Sequence, residues 1–342
     1  MTGTTCLVLG GGGFIGGNVA RALLRKNLRV IVLERPEAGD ANLRALSGPV
    51  EVVRGDLASG EHLLPLLKRA QYVFHCAGRM VPAESMGSPS RDIELNVLPT
   101  LNLLQCLRQH PVRKLVFCSS GGTIYGIPGA CPIGETHPTE PICAYGISKL
   151  MAEKHLAMHR YHYGLDYVSL RFSNPYGPGQ NPQGRQGAIA VFMGRILAGQ
   201  EIEVWGDGTV VRDYVYIDDA AEAAVRAALG DAGGARVLNI GSGIGRSVND
   251  ILEAIQQVVS RRALVRYSPA RRIDVPVNVL DIREARRRLD WAPSVDLMEG
   301  LRRFHHWLGE QDPQWRPHPV RGAEPAAAQP VPASIASGVP PA

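Results

Sequence analysis

The stretch TTCLVLGGGGFIGGNVARALLRK, Thr4 to Lys26, changes pattern once and abruptly. A short apolar run ends in glycines, and from Asn18 onward apolar residues recur at helical spacing. A continuous apolar run of this length bounded by glycine reads as a strand buried on both faces, followed directly by an amphipathic helix. Gly10, Gly13 and Gly16 stand in GxxGxxG spacing at the turn between them. Glycine there lets the backbone approach a pyrophosphate, whose charge rests among the unsatisfied N–H groups of the helix start. Tight turns also use glycine for positive φ, so the cluster alone decides little. The rest of the chain supplies the context.

The same alternation continues. RVIVLE and VEVVRGD read as the second and third strands, LLPLLKRA as a helix and YVFHCAG as the fourth strand. LNVLPTLNLLQCLRQ follows as a long helix, and RKLVFCSS as another apolar strand. Strands alternating with helices in this order predict an α/β fold, a Rossmann-type doubly wound parallel sheet. After YVSLRFSNPYGPG the character changes: Pro and Gly cluster between Pro175 and Gly187, then shorter helices and strands alternate to about Leu308. We read residues 1–174 as a dinucleotide-binding domain to which 213–241 return. Residues 175–212 and 242–310 read as a smaller C-terminal α/β lobe around a ligand cleft. From Gln311 Pro and Ala dominate, which predicts a disordered tail over 311–342.

Hydrophobic residues make up 45% of the 342 and charged residues 20%, as in an ordinary soluble globular protein. The net charge of +5 is concentrated in segments such as EARRRLD, so it carries no nucleic-acid footprint. Six cysteines (Cys6, Cys76, Cys106, Cys118, Cys131, Cys143) show no metal-type spacing, and several sit in apolar runs where a thiol acts as a small hydrophobe. No metal site is expected. With no apolar run of membrane-spanning length, a cytoplasmic enzyme is the expectation.

Glu34 closes the second strand, where an acid reaches the adenosine ribose hydroxyls of a dinucleotide and repels a 2′-phosphate. NAD is therefore expected over NADP, although the guanidinium of Arg35 next door is the kind of group that binds that phosphate. Asp56 follows the third strand and is placed either to accept from the adenine amine or to cap the next helix. The small residues of HCAG, His75 to Gly78, leave room for a cofactor, and His75 itself reads as structural. Tyr145 and Lys149 are one helical turn apart and share a face. An ammonium beside a phenol favours the phenolate. Bringing a phenol from its usual range to near neutrality takes about 4 kcal/mol of differential stabilisation.

Taken in order, GGGGFIG, HCAG, SSGGTIYG, YGISKLMAE, LRFSNPYGPG, GDGTVVRDYVYIDD, NIGSG and LDWAP resemble the signatures of extended short-chain dehydrogenase/reductases, most closely the NAD-dependent nucleotide-sugar epimerases typified by UDP-glucose 4-epimerase. The likeness runs from about Thr5 to Leu308. It implies that Tyr145 is the acid/base and that Lys149 holds the nicotinamide ribose and tunes that Tyr. It implies a cofactor set of Gly10, Gly13, Phe14, Ile15, Gly16, Glu34, Arg35, Asp56, Leu57, Ala77, Gly78 and Asn96, together with Tyr145 and Lys149. Asn174, Arg212 and Arg271 fall where the family holds the substrate's pyrophosphate, and the forked donors of Arg suit phosphate oxygens. For Arg212 the plainer reading is an ion pair with the adjacent Asp213. A homodimer is expected by resemblance alone.

The chain departs from the family pattern at one position. The Ser/Thr that binds the sugar hydroxyl falls on Gly121, which has no hydroxyl to donate, so Thr123 or Ser120 is expected to replace it, with Thr123 preferred. Asn278 stands where a bulky Tyr crowds out a 2-acetamido group in the 4-epimerases, which implies a roomier pocket. Arg79 and Arg185 are candidates for a uronate carboxylate. The expected reaction is inversion at C4 of a UDP-sugar through a transient 4-keto form. Sugar 4,6-dehydratases resemble TDE where this chain has Gly121, Gly122 and Thr123, so dehydration lacks its acid and base. A dehydratase or decarboxylase of the same fold, with dehydration the less favoured, a net reductase and an idle NAD-binding scaffold are the rival expectations.

Overall fold

The apolar runs form strands whose alternate residues enter two different cores, as a strand's two-residue period requires. In the computed structural model, which describes residues 3–78, 80–184, 186–271, 273–312 and 315, Val8 faces one core and Leu7 the other, both with no exposure. The chain begins with β1 (Thr5–Leu9), α1 (Phe14–Arg25), β2 (Arg29–Glu34), α2 (Ala41–Arg44), β3 (Val50–Arg54), α3 (Gly60–Leu67) and β4 (Tyr72–His75). Two short helices, α4 (Pro82–Gly87) and α5 (Pro89–Asp92), lead through a π-helical turn at Ile93–Val97 into α6 (Leu98–Gln109) and β5 (Lys114–Ser120). Next come α7 (Ala144–Tyr163), β6 (Tyr167–Phe172), β7 (Asn174–Tyr176), α8 (Ala188–Leu197), β8 (Glu201–Trp205) and β9 (Val211–Tyr216). The remainder is α9 (Ile217–Leu229), β10 (Val237–Ile240), β11 (Gly245–Ser247), α10 (Val248–Val259), β12 (Leu264–Ser268), β13 (Val277–Asn278), α11 (Arg283–Leu289) and α12 (Leu297–Gln311).

Seven strands pair in the order β10-β6-β5-β4-β1-β2-β3, all parallel. This is the doubly wound sheet that the sequence predicts. The order reverses between β1 and β4, and a crevice opens at the carboxyl ends of strands on either side of such a switch. One face of the sheet buries Val8, Val30, Phe74 and Val116 against α1 and α9; the other buries Leu7, Ile31, Val73 and Leu115 against α3, α6 and α7. Each such side chain contributes roughly 1.5–3 kcal/mol by leaving water.

A third core, with Met193, Val204, Ile251 and Phe304, belongs to the smaller lobe. Its sheet pairs β9 with β7, β11 and β13, and β8 pairs with β12. Two details differ from the expected division. Residues 213–216, assigned to the first domain, pair in the small sheet, because β9 finds its partners in β7 and β11; only α9 and β10 return. Leu280, Ile282, Ala285, Leu289 and Trp291, assigned to the lobe, are buried in the first core with α9 and β10. At the far end Gln311 closes α12 and Trp315 is buried in the third core; the rest of the predicted tail lies outside the described residues.

Candidate active site

The turn after β1 is built for a close approach. Gly10 has φ +79°, and a Cβ on it would lie 2.8 Å from the Ala77 Cα, so the backbones of β1 and β4 meet across the switch point without side chains. A Cβ on Gly16 would lie 2.2 Å from the Gly10 carbonyl oxygen. Gly13 is the N-cap of α1, makes no side-chain cap, and no acid stands in the helix's first turn. The leading N–H groups are therefore left for an anion, at the positive end of the helix. Phe14 and Ile15 begin α1 and pack partly buried on the first core.

Glu34 ends β2 buried; its carboxylate accepts from Gly12 N at 2.8 Å and from Arg35 N at 3.0 Å. The Arg35 guanidinium pairs with Glu37. Asp56 Oδ1 accepts from Ala58 N at 2.9 Å, a local turn just ahead of α3, while the cap position itself is Ser59. The Leu57 carbonyl accepts from Asn102 Nδ2, and Gly78 lies beside Asn96, whose Nδ2 donates to Asp92 Oδ1 at 2.7 Å. A glycine cradle with no room for side chains, an uncapped helix start and an acid at the second strand's end together fit a dinucleotide.

At the other side of the crevice α7 carries Tyr145 and Lys149. The Tyr145 N–H donates to Ser85 Oγ at 3.0 Å, which ties the start of the helix to α4. Lys149 is 7% exposed; its Nζ donates to the Cys118 carbonyl at 2.8 Å and lies 4.9 Å from the Phe117 ring and 5.7 Å from the Tyr145 ring. The ammonium thus lies near both the end of β5 and the Tyr145 ring. His75 is structural, as read from the sequence: it is buried with Nε2 on Thr100 Oγ1 at 2.9 Å, and burial, with the Lys149 charge adding, pushes its imidazole down to about 3.

The missing hydroxyl at Gly121 has a steric reason. A Cβ there would lie 2.6 Å from Leu280 Cδ1 and 3.0 Å from the Arg171 carbonyl oxygen. Asn278, fully buried, donates from Nδ2 to the Gly121 carbonyl at 3.0 Å and keeps Oδ1 without a partner. Thr123 Oγ1 is likewise buried and unpartnered, while Ser120 is half-buried at the strand end. An orphaned hydroxyl beside the Tyr–Lys helix is a donor in need of an acceptor.

On the lobe side Asn174 Nδ2 donates to the Asp213 carbonyl at 2.9 Å, and Asn278 lies opposite Arg212 in the ladder. Arg212 does not pair with Asp213. Asp213 is fully buried and accepts from Ser242 N and Oγ, Gly243 N and Leu280 N, so its carboxylate organises the loop after β10. Arg212 donates only to the carbonyls of Val211 and Val275 and has no carboxylate within ion-pair distance among the described residues. Burial holds its guanidinium below the usual range, and nearby Arg271 acts in the same direction. Arg271 forks onto Asp274 at 2.8 and 2.9 Å and lies over the Trp205 ring. Sequence reasoning did not find Ser85 or the Asp213 loop contacts, since neither belongs to a spaced motif. Arg79 and Arg185 lie outside the described residues.

Residues 6–241 match the model of the NAD dependent epimerase/dehydratase family. The UDP-glucose 4-epimerase of Mycolicibacterium smegmatis is 36% identical over 300 residues, covering 86% of this chain and 95% of that protein. Among solved structures, the Thermotoga maritima UDP-glucose 4-epimerase with UDP-glucose is similar at TM-score 0.85 and 35% identity, over 90% of this chain and 99% of that one. The Thermus thermophilus UDP-glucose 4-epimerase complex with NAD is similar at TM-score 0.83 and 35% identity, over 90% and 99%. The family match spans both the glycine cradle and the Tyr145–Lys149 helix: the chain belongs to the NAD dependent epimerase/dehydratase family, and NAD is its cofactor.

Proposed function

We propose that this enzyme inverts C4 of a UDP-sugar through a transient 4-keto form. The observation that carries the reading is Lys149 Nζ held on the Cys118 carbonyl at the end of β5 and beside the Tyr145 ring. Relatives named UDP-glucose 4-epimerase, and the neighbour solved with UDP-glucose, support the substrate class. NAD, when bound in the glycine cradle, supplies reversible oxidation of the carbinol carbon. Tyr145 takes the proton from the C4 hydroxyl and returns it after the sugar has turned; Lys149, beside its ring, holds the ribose. Thr123 Oγ1 donates to the sugar. Arg212, Arg271 and Asn174 hold the diphosphate, and its binding keeps the keto sugar from leaving while the ring turns. Glu34 binds the adenosine ribose, and Asn278 leaves room for a 2-acetamido group.

The test is to incubate the purified protein with UDP-glucose, UDP-galactose and their N-acetyl counterparts and follow the products by NMR. Interconversion at C4, with C4 deuterium retained, is expected, and Tyr145→Phe should lower kcat about 10²–10⁴-fold. Loss of the C4 deuterium to water, a 6-deoxy-4-keto product, or full turnover by Tyr145→Phe would overturn the reading.

A homodimer also fits. Leu98 on α6 and Ile147 and Met158 on α7 are 51%, 50% and 42% exposed, and the two helices pack side by side. An apolar surface on adjacent helices suits a second copy of the same face. Ile147→Asp should shift the particle from dimer to monomer in light scattering. No helix among the described residues is long and apolar enough to cross a membrane, and the unpaired cysteines suit a reducing cytoplasm.

A further inference from the structure

Directly beneath the reacting groups lies an ion pair that the mechanism above does not use. Arg171 and Glu153 are each 5% exposed, and the guanidinium forks onto the carboxylate, Nε to Oε1 at 3.0 Å and Nη2 to Oε2 at 2.6 Å. Glu153 is one turn beyond Lys149 on α7, while Arg171 stands in β6 opposite Ser119 of β5. Ser119 Oγ donates to Glu153 Oε1 at 2.6 Å, and the neighbouring Cys118 carbonyl accepts from Lys149. Successive turns of the catalytic helix therefore grip successive residues of one strand end. From the other side, Arg171 Nη1 donates to Tyr125 OH at 2.9 Å, and that hydroxyl donates to Asn239 Oδ1 at 2.6 Å. Tyr125 lies two residues after Thr123, so the same guanidinium that holds α7 also holds the turn bearing the orphaned hydroxyl.

We infer that the Glu153–Arg171 pair is the positioning device of the site, fixing Tyr145 and Lys149 relative to the Ser120–Thr123 turn. A buried pair is poor evidence for stability, since well-packed apolar residues of similar volume often serve as well. A planar fork, unlike an apolar contact, fixes angle and register together. The carboxylate here takes three donors, from β5 and β6, and both elements run into the reacting centre. Glu153 and Arg171 act through Tyr145, Lys149 and Thr123 rather than on the sugar. The inference rests on the acid–base reading of Tyr145 for its kinetic consequence but not for its structural one.

The experiment uses the full-length protein with NAD bound and the double variant Glu153→Met/Arg171→Met, with Ser119→Ala as a milder change in case the double variant folds poorly. Rates are expressed per bound NAD. The double variant should keep its KM for the UDP-sugar and lose about 100-fold in kcat, the scale of a misplacement near 1 Å. Ser119→Ala should lose about tenfold. Arg171→Lys, which keeps the charge but not the fork, should leave most of the loss in place. Independently of turnover, amide hydrogen exchange should rise at least tenfold in 119–126 and the first two turns of α7, with β1 and β2 unchanged. Wild-type kcat in the double variant, full rescue by Lys, or unchanged protection of 119–126 would overturn the inference. Full activity of Tyr145→Phe with raised exchange in 119–126 would instead overturn the acid–base reading and leave the positioning role standing.

Discussion

Restoring the family's hydroxyl at residue 121 should harm this protein. A Cβ on Gly121 would stand 2.6 Å from Leu280 Cδ1, where carbon atoms rest at about 3.5–4.0 Å, an overlap of about 1 Å. Neither partner has an easy retreat. Gly121 is held by its N–H on the Phe172 carbonyl at 2.7 Å and by Asn278 on its own carbonyl. Leu280 has no exposure and is bridged to Ile133. Overpacking of this kind costs about 1–3 kcal/mol, so Gly121→Ser should lower stability by that amount. In a thermal scan of the NAD-bound protein this is on the order of 5 °C, taking about 2–4 °C per kcal/mol. Leu280→Ala alone should cost about 2–5 kcal/mol for its cavity. The double variant should cost less than the two losses added, by about 1 kcal/mol or more, because the new side chain fills the space. Unchanged melting in Gly121→Ser, or strict additivity in the double variant, would refute the packing account of why this position is glycine.

Thr123→Val should lower kcat about tenfold, the worth of one hydrogen bond to the sugar, whereas Ser120→Ala should change it less; the reverse order would move the role to Ser120. Glu34→Ala should weaken NAD binding about 10–100-fold and narrow the preference over NADP, measured by titration calorimetry; unchanged NAD affinity would remove Glu34 from the ribose. His75, held neutral with its imidazole pushed down to about 3, takes up no proton in the folded state until well below the 6.5 of an unfolded chain. Stability should therefore fall as pH drops from about 6.5 toward 3, and His75→Asn should flatten that decline in urea melts taken across the range. Asn278→Tyr should abolish activity on 2-acetamido sugars while sparing UDP-glucose; equal loss on both would refute the roomier-pocket reading.

What local spacing governs could be read from the residues. The glycine spacing after β1, the doubly wound order and the shared face of Tyr145 and Lys149 each follow from backbone sterics or a helical or strand period, which act within a few residues. The partners of charged groups were not legible in this way. Asp213 beside Arg212 suggested an ion pair, yet β9 sends the carboxylate to Ser242 and Gly243 and leaves the guanidinium on carbonyls, because adjacent residues of a strand face opposite ways. The tertiary path also brought Asn278 onto Gly121 across 157 residues of chain and set Leu280 against that glycine. It turned 280–291 back onto α9 and joined Glu153 to Arg171 and Ser119. Such contacts depend on which surfaces the packed layers bring together, and no period in the chain records that.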